Sequence, residues 1–211
     1  MSSSQRFDHL LGPVHPCDEL WDIGCDHGLV GSAAFRSRKA RRIHFVDPAP
    51  AVIRHLKNSI GADIPEDSFF LHQKKGHEIE LAADDLRRAF VLAGFGGKQI
   101  VQALAHLQVQ QRGVAQFILS PHRDHLKLRE FLHHGNWHLV GEAIIEENGQ
   151  NYLVLDVRNQ AGRAPSLYGA PSLWSTPEGE RYRRHLLKVL PSHHNLQDQA
   201  YLKFLQQLGQ A

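Results

Sequence analysis

The stretch Leu20-Trp21-Asp22-Ile23-Gly24-Cys25-Asp26-His27-Gly28 constrains this chain more than any other. Glu19 to Ile23 have the character of a strand and run into a turn with glycines at 24 and 28, and a segment with helical spacing follows at once. Strand, glycine turn and helix in direct succession make the first unit of an α/β sheet. A ligand can back onto such a turn because glycine has no Cβ in the way. The spacing differs from the G-x-G-x-x-G that seats a pyrophosphate on a helix N-terminus. Asp26 and His27 crowd the turn where a pyrophosphate would need only backbone N–H groups. Asp22, at the strand end, would repel phosphate but accept hydrogen bonds from an ammonium group. The turn therefore favours a cationic nucleoside such as S-adenosylmethionine, against the alternative of a strand-to-helix turn that binds nothing.

The rest of the chain repeats this unit. A short helix is predicted within 5–16, stopped by Gly12-Pro13 and Pro16. Strands are predicted at Glu19–Ile23, Ile43–Asp47, Ser68–His72, Ala89–Ala93 and Gln116–Ser120, with helices at 29–38, 51–60, after Gly97 and at 125–134. The fourth strand is wholly apolar, as expected of a central parallel strand buried on both faces. The pattern reads as strand–helix repeated five times, then a hairpin of Trp137–Glu146 and Asn151–Val157 joined through Asn148-Gly149. Alternation predicts an α/β fold with a doubly wound parallel sheet, and the hairpin adds an antiparallel strand at one side. That layout is expected of Rossmann-like class I methyltransferases, whereas plain dehydrogenases continue with parallel units. The organisation expected is a Rossmann-like domain over 1–160, then a linker and a small, basic helical extension over 161–211. Its two amphipathic helices would be hinged at Pro191-Ser192-His193-His194.

Composition narrows the function classes. The 211 residues suffice for one α/β core. No apolar run reaches the roughly 20 residues of a membrane helix. The start Met1-Ser2-Ser3-Ser4-Gln5-Arg6 lacks the apolar core of a signal peptide, so a cytoplasmic protein is expected. Cys17 and Cys25 are the only cysteines and predict free thiols rather than a disulfide framework. The 16 histidines form neither H-E-x-x-H nor a zinc-spaced Cys/His set, so no metal is expected. No G-x-S-x-G supports a serine hydrolase. Residues 1–157 carry 17 Lys and Arg against 19 Asp and Glu, and residues 158–211 carry 7 against 3. A near-neutral body with a basic tail points to an anionic partner, or to a solvated surface helix.

In sheets of this kind the ligand lies across the carboxyl ends of the strands. Asp22, Asp47, Ala93-Gly94 and Pro121 all fall there although they are far apart in the chain. Asp47 stands some twenty residues beyond the glycine turn, where an acid accepts hydrogen bonds from ribose hydroxyls; capping the helix after Pro48 is its other possible role. Gly94-Phe95-Gly96-Gly97 allows close backbone approach to a ligand or a target base.

Asp22-Ile23-Gly24-Cys25-Asp26-His27-Gly28, Ala93-Gly94-Phe95-Gly96-Gly97, Leu128-Arg129, Asn136-Trp137-His138-Leu139-Val140-Gly141-Glu142 and Asn151-Tyr152-Leu153 occur in an order that resembles the bacterial tRNA (adenine-22-N1)-methyltransferase family. The resemblance spans about residues 7–157. It implies a class I enzyme using S-adenosyl-L-methionine, held by Asp22, Gly24, Cys25, Gly28, Asp47, Pro48, Gly76, Ala93 and Gly94, with Asp26 and His27 at the reacting centre. It also implies tRNA as partner, bound in part by Arg181, Arg183, Arg184 and Lys188 of a C-terminal helical hairpin. The chain departs from the family pattern in two motifs, and its helical tail is short. Lys74-Lys75-Gly76-His77 stands where the family has G-D-G, and Ser120-Pro121-His122 where it has Q-P-N. The alternatives are a methyltransferase for a small molecule or a protein, and a non-catalytic RNA-binding relative.

Overall fold

The computed structural model describes residues 5–160, 163–192 and 196–209. The proposed hinge residues His193 and His194 lie outside the described residues. Seven strands, β1 (Cys17–Ile23), β2 (Ala40–Val46), β3 (Phe69–His72), β4 (Arg88–Ala93), β5 (Ala115–Ser120), β6 (His138–Glu147) and β7 (Gln150–Arg158), form one sheet in the order β3-β2-β1-β4-β5-β7-β6. The first five strands are parallel, and β7 runs antiparallel to both β5 and β6. The fold is the Rossmann-like methyltransferase arrangement expected from the element pattern. The hairpin turns at Asn148 (φ 52°) and Gly149 (φ 71°), the left-handed pair that a two-residue loop between twisted strands requires.

Helices α1 (Gln5–Leu11), α2 (Leu29–Arg36) and α3 (Pro50–Ser59) cover one side of the sheet, over Leu20, Ile43, Phe45 and Val91. Helices α4 (Gly97–Gln110) and α5 (His125–His134) cover the other, over Ile23, Leu92, Phe117 and Leu119. On this second face parallel register turns side chains into rows across strands. Glu19 lies between Arg42 and Arg88. Two residues on, Phe70, His44, Trp21, Phe90 and Phe117 stand in register. Their rings stack along the row, with His44 3.9 Å from Trp21 and Phe90 4.8 Å from Phe117.

One expectation fails. The repeating pattern calls for a helix after β3, but the segment between β3 and β4 holds only a 3₁₀ turn at Gly76–Glu78. The segment has Ile79 as its one fully buried apolar side chain among Lys74, Lys75, Glu80, Asp84 and Asp85, too little for a helical apolar stripe. Helix α4 side chains hold it instead: Gln110 Nε2 donates to the Ile79 carbonyl at 2.9 Å, and its Oε1 accepts from Leu81 N–H at 2.9 Å.

The C-terminal segment contains α6 (Pro171–Trp174), α7 (Pro177–Val189) and α8 (Leu196–Gln207). Leu173, Trp174, Leu186, Leu190, Tyr201 and Leu205 join the same apolar cluster as Leu128, Ile144 and Leu153 of the sheet side. A buried ion pair anchors the approach to α6. Arg129 Nη2 lies 2.6 Å from Glu142 Oε2, Arg129 Nη1 donates to the Ser166 carbonyl at 3.1 Å, and Glu142 Oε1 accepts from Ala170 N–H at 2.7 Å.

Candidate active site

The carboxyl ends of the strands surround a cavity of about 1100 Å³. Asp22, Asp47 and Gly94, from three different strand ends, line it together. So do Gly24, Cys25, Pro48, Gly76 and Ala93 among the expected cofactor contacts. Gly28 alone of that set does not. It begins α2 with φ 66°, and a Cβ there would meet Leu56 at 2.8 Å and Phe45 at 3.0 Å, so its part is helix–sheet packing.

Gly24 makes the shape of the turn possible. Its φ is 76°, and a Cβ would collide with the Ala93 carbonyl oxygen and with the Phe95 ring at 2.7 Å. The loops after β1 and β4 thus meet backbone to backbone, which no other residue type permits at this distance. Asp22 is buried at 3% exposure, and its Oδ2 accepts from Gly31 N–H in the first turn of α2 at 2.9 Å. Burial pushes its carboxyl up to about 7; the Gly31 bond opposes this, and the Asp47 charge adds to it. Asp47 Oδ1 accepts from Ala49 N–H at 2.8 Å, a bond inside the turn that precedes α3; Ala49 holds the N-cap position and α3 has no side-chain cap, so Asp47 does not cap it. A carboxylate has a second oxygen, so this bond does not exhaust Asp47. Burial, with the Asp22 charge second, raises the Cys25 thiol well above the ordinary range, which excludes a thiolate nucleophile at neutral pH.

Asp26 and His27 sit at the outer lip. Asp26 is in the left-handed region (φ 46°), and the two side chains are 73% and 68% exposed with 3.7 Å between Oδ1 and Nε2. Lys74, Lys75 and His77 form another wall. Residues that motif reasoning did not single out complete the cavity: Arg6, Phe7 and Leu10 from α1, Gln99 and Gln102 from α4, and Glu147 at the end of β6. No spacing signal in the chain connects them to the glycine turn, because only the packing of α1 and the return of β6 bring them there.

The basic residues of α7 lie apart from the cavity lining, and the three arginines already hold carboxylates. Arg181 binds Glu146 at 2.6 Å and Glu178 at 2.8 Å, and Arg184 lies 3.6 Å from Glu180. Arg183 binds Glu180 at 2.9 Å and donates to the Leu205 carbonyl at 3.0 Å, tying α7 to α8. Lys188 has no ion-pair partner among the described residues. Among the described residues no group of three or more His, Cys, Asp or Glu could hold a metal ion, and no helix is long and apolar enough to cross a membrane.

The crystal structure of the B. subtilis M1A22 tRNA methyltransferase TrmK matches with a TM-score of 0.75 at 20% identity, over 99% of this chain and 98% of that one. M. capricolum TrmK, solved with S-adenosyl-homocysteine, matches with a TM-score of 0.78 at 15% identity, over 100% of this chain and 97% of that one. At such identities the likeness is one of fold. In sequence, a Mycoplasma pneumoniae protein provisionally named a tRNA methyltransferase is 31% identical over 144 residues, 65% of this chain and 62% of that protein. A Bacillus subtilis protein named tRNA (adenine(22)-N(1))-methyltransferase is 26% identical over 152 residues, 72% of this chain and 62% of that protein. The chain thus spans about three fifths of the length of the curated relatives it matches. The profile of a family described as a methyltransferase domain matches residues 3–155, and the chain belongs to that methyltransferase family.

Proposed function

We propose that this protein transfers a methyl group from S-adenosyl-L-methionine to N1 of an adenine in tRNA. The observation that carries the reading is the convergence of Asp22, Asp47 and Gly94 on one cavity large enough for a nucleoside cofactor and a second base. The TrmK likeness and the tRNA methyltransferase names of the relatives support the substrate class.

The residues present fit the cofactor. Asp22 offers a desolvated carboxylate for an ammonium group, Asp47 an acid for ribose hydroxyls, and the Gly24 and Gly94 backbones permit close approach. Cys25, Pro48, Gly76 and Ala93 complete the wall. The bound cofactor supplies an electrophilic methyl on a sulfonium. Because the adenine N1 lone pair attacks directly, no strong base is needed, and the chain contributes alignment and a site shielded from water. Asp26 and His27, at the lip, would orient the incoming base. A target inside a paired stem would have to be flipped out.

For the RNA backbone, Arg181, Arg184 and Lys188 remain candidates. Exposed ion pairs such as those of Arg181 and Arg184 contribute about 0–1 kcal/mol, so phosphate can compete for them. Arg183, at 14% side-chain exposure, is the least accessible of the set. Binding through such contacts falls steeply with salt.

The same pairing favours a second reading, methylation of a small molecule or a protein, since α7 presents less unpaired charge than its sequence suggests. Calorimetry with S-adenosylmethionine tests the cofactor, and absence of binding would leave a non-catalytic RNA-binding relative. Incubation with bulk tRNA and methyl-labelled cofactor, followed by nucleoside mapping, tests the rest. N1-methyladenosine is the expected product; an unlabelled RNA pool despite cofactor binding would select the second reading.

A further inference from the structure

The cavity extends beyond what the cofactor residues account for. Those residues sit at the ends of β1, β2, β4 and the loop after β3. The other half of the edge belongs to β5, β7 and β6, and there the structure has an assembled cluster that the glycine-turn argument leaves unused.

His122, just past β5, is fixed at its backbone: its N–H donates to the Phe95 carbonyl at 3.1 Å, linking it to the loop after β4. Its ring Nε2 lies 3.1 Å from Nη2 of Arg6 on α1. A guanidinium only donates, so Nε2 must be the accepting nitrogen and the ring proton sits on Nδ1. That Nδ1 has no partner among the described residues. The Arg6 guanidinium in turn lies over the Tyr152 ring of β7, 4.4 Å from its centroid, and Tyr152 meets the His122 ring edge-on at 6.1 Å. Arg6 Nε is buried and lacks an acceptor among the described residues, a donor that a bound group could satisfy. Arg6 and His122 both line the cavity, with Glu147 at its β6 end.

We propose that Arg6 and His122, packed against Tyr152, form the acceptor subsite, in which the Nδ1–H of His122 donates to a ring nitrogen of the purine other than the one methylated. The inference rests on the methyl-transfer reading above. Arg6 is a positioning residue: by occupying Nε2 it dictates the His122 tautomer and keeps the ring neutral. Burial and the Arg6 and Arg123 charges lower the affinity of His122 for a proton. His125, Tyr152 and Glu147 are the other titratable groups around it. The subsite also explains how a chain with Ser120-Pro121-His122 can receive a base without the two amide side chains of Q-P-N. An imidazole N–H replaces an amide N–H, and an arginine from the far N-terminus sets its direction.

The test measures methyl transfer from labelled S-adenosylmethionine to bulk tRNA alongside cofactor affinity by calorimetry. His122→Ala is expected to lower kcat/KM for RNA at least tenfold with cofactor Kd unchanged. His122→Asn, which keeps an N–H near the Nδ1 position, should recover part of that loss. Arg6→Gln should lower the rate most at pH 8, where His122 is neutral and its ring proton is free to move to Nε2, and less toward pH 6, where a protonated ring carries N–H at both nitrogens; loss of packing alone would not move the pH profile. Unchanged transfer in His122→Ala, or an unmoved profile in Arg6→Gln, overturns the subsite while leaving the methyltransferase intact. Failure of the unaltered protein to bind cofactor or label RNA overturns the underlying reading and the subsite with it.

Discussion

Asp22 Oδ2 accepts a hydrogen bond of 2.9 Å from the backbone N–H of Gly31, so the carboxylate that faces the cavity also fastens the first turn of α2. One side chain joins the cofactor end of the cavity to the stability of its own β–α unit.

Cofactor affinity should therefore depend on pH. Burial lifts the Asp22 carboxyl to about 7, so below that pH the group is largely protonated and offers no charge to an ammonium. Binding of S-adenosylmethionine, measured by calorimetry, should strengthen as pH rises from 6 to 8, with proton release near pH 7. The folded protein without ligand should show the opposite trend. A raised carboxyl contributes stability fully below its unfolded value of 3.8 and loses it as pH rises through about 7. Asp22→Asn keeps an acceptor for Gly31, and should abolish both dependences while weakening cofactor binding.

Asp47 gives a separate check on the ribose role. Among the described residues its carboxylate accepts only the local bond from Ala49 N–H, while its own N–H donates to the His72 carbonyl. Loss of a local hydrogen bond of this kind costs about 1 kcal/mol of stability. Asp47→Ala should lower cofactor affinity by roughly tenfold or more, since hydrogen bonds to a charged acceptor contribute about 1.5–3 kcal/mol. A fall in melting temperature with unchanged cofactor Kd would leave Asp47 only its part in the turn before α3.

The Arg129–Glu142 pair is the strongest stability prediction. Both side chains are almost fully buried, at 4% and 6% exposure, and each also holds backbone of the segment leading to α6. Glu142→Ala leaves a buried guanidinium unpaired and should cost about 3–5 kcal/mol in urea unfolding. The double variant Arg129→Met with Glu142→Leu should recover much of that loss, because it removes both buried charges.

Glu19 sets the acid limit of one sheet face. Burial would raise its carboxyl, but the His44 imidazole and the Arg88 guanidinium outweigh burial and hold it down at about 2. The depressed carboxyl contributes stability above its unfolded value of 4.5, and that contribution disappears as pH falls through about 2. Glu19→Gln should lower stability at pH 7 and flatten the acid limb of the stability profile between pH 4.5 and pH 2, followed by circular dichroism.

What the chain determines on its own is local and periodic. The apolar run Ala89–Ala93 is buried on both sides as a central parallel strand must be, Asn148-Gly149 turns the hairpin, and the β1 turn needs Gly24 because φ is positive there. These follow from steric limits and side-chain period, which act over a few residues. Tertiary structure alone decided the rest. No local signal says that Arg6 reaches His122 across 116 residues, or that Arg181 of α7 reaches Glu146 on β6. Those outcomes depend on which distant groups the fold sets side by side, and that proximity exists only once the sheet has assembled.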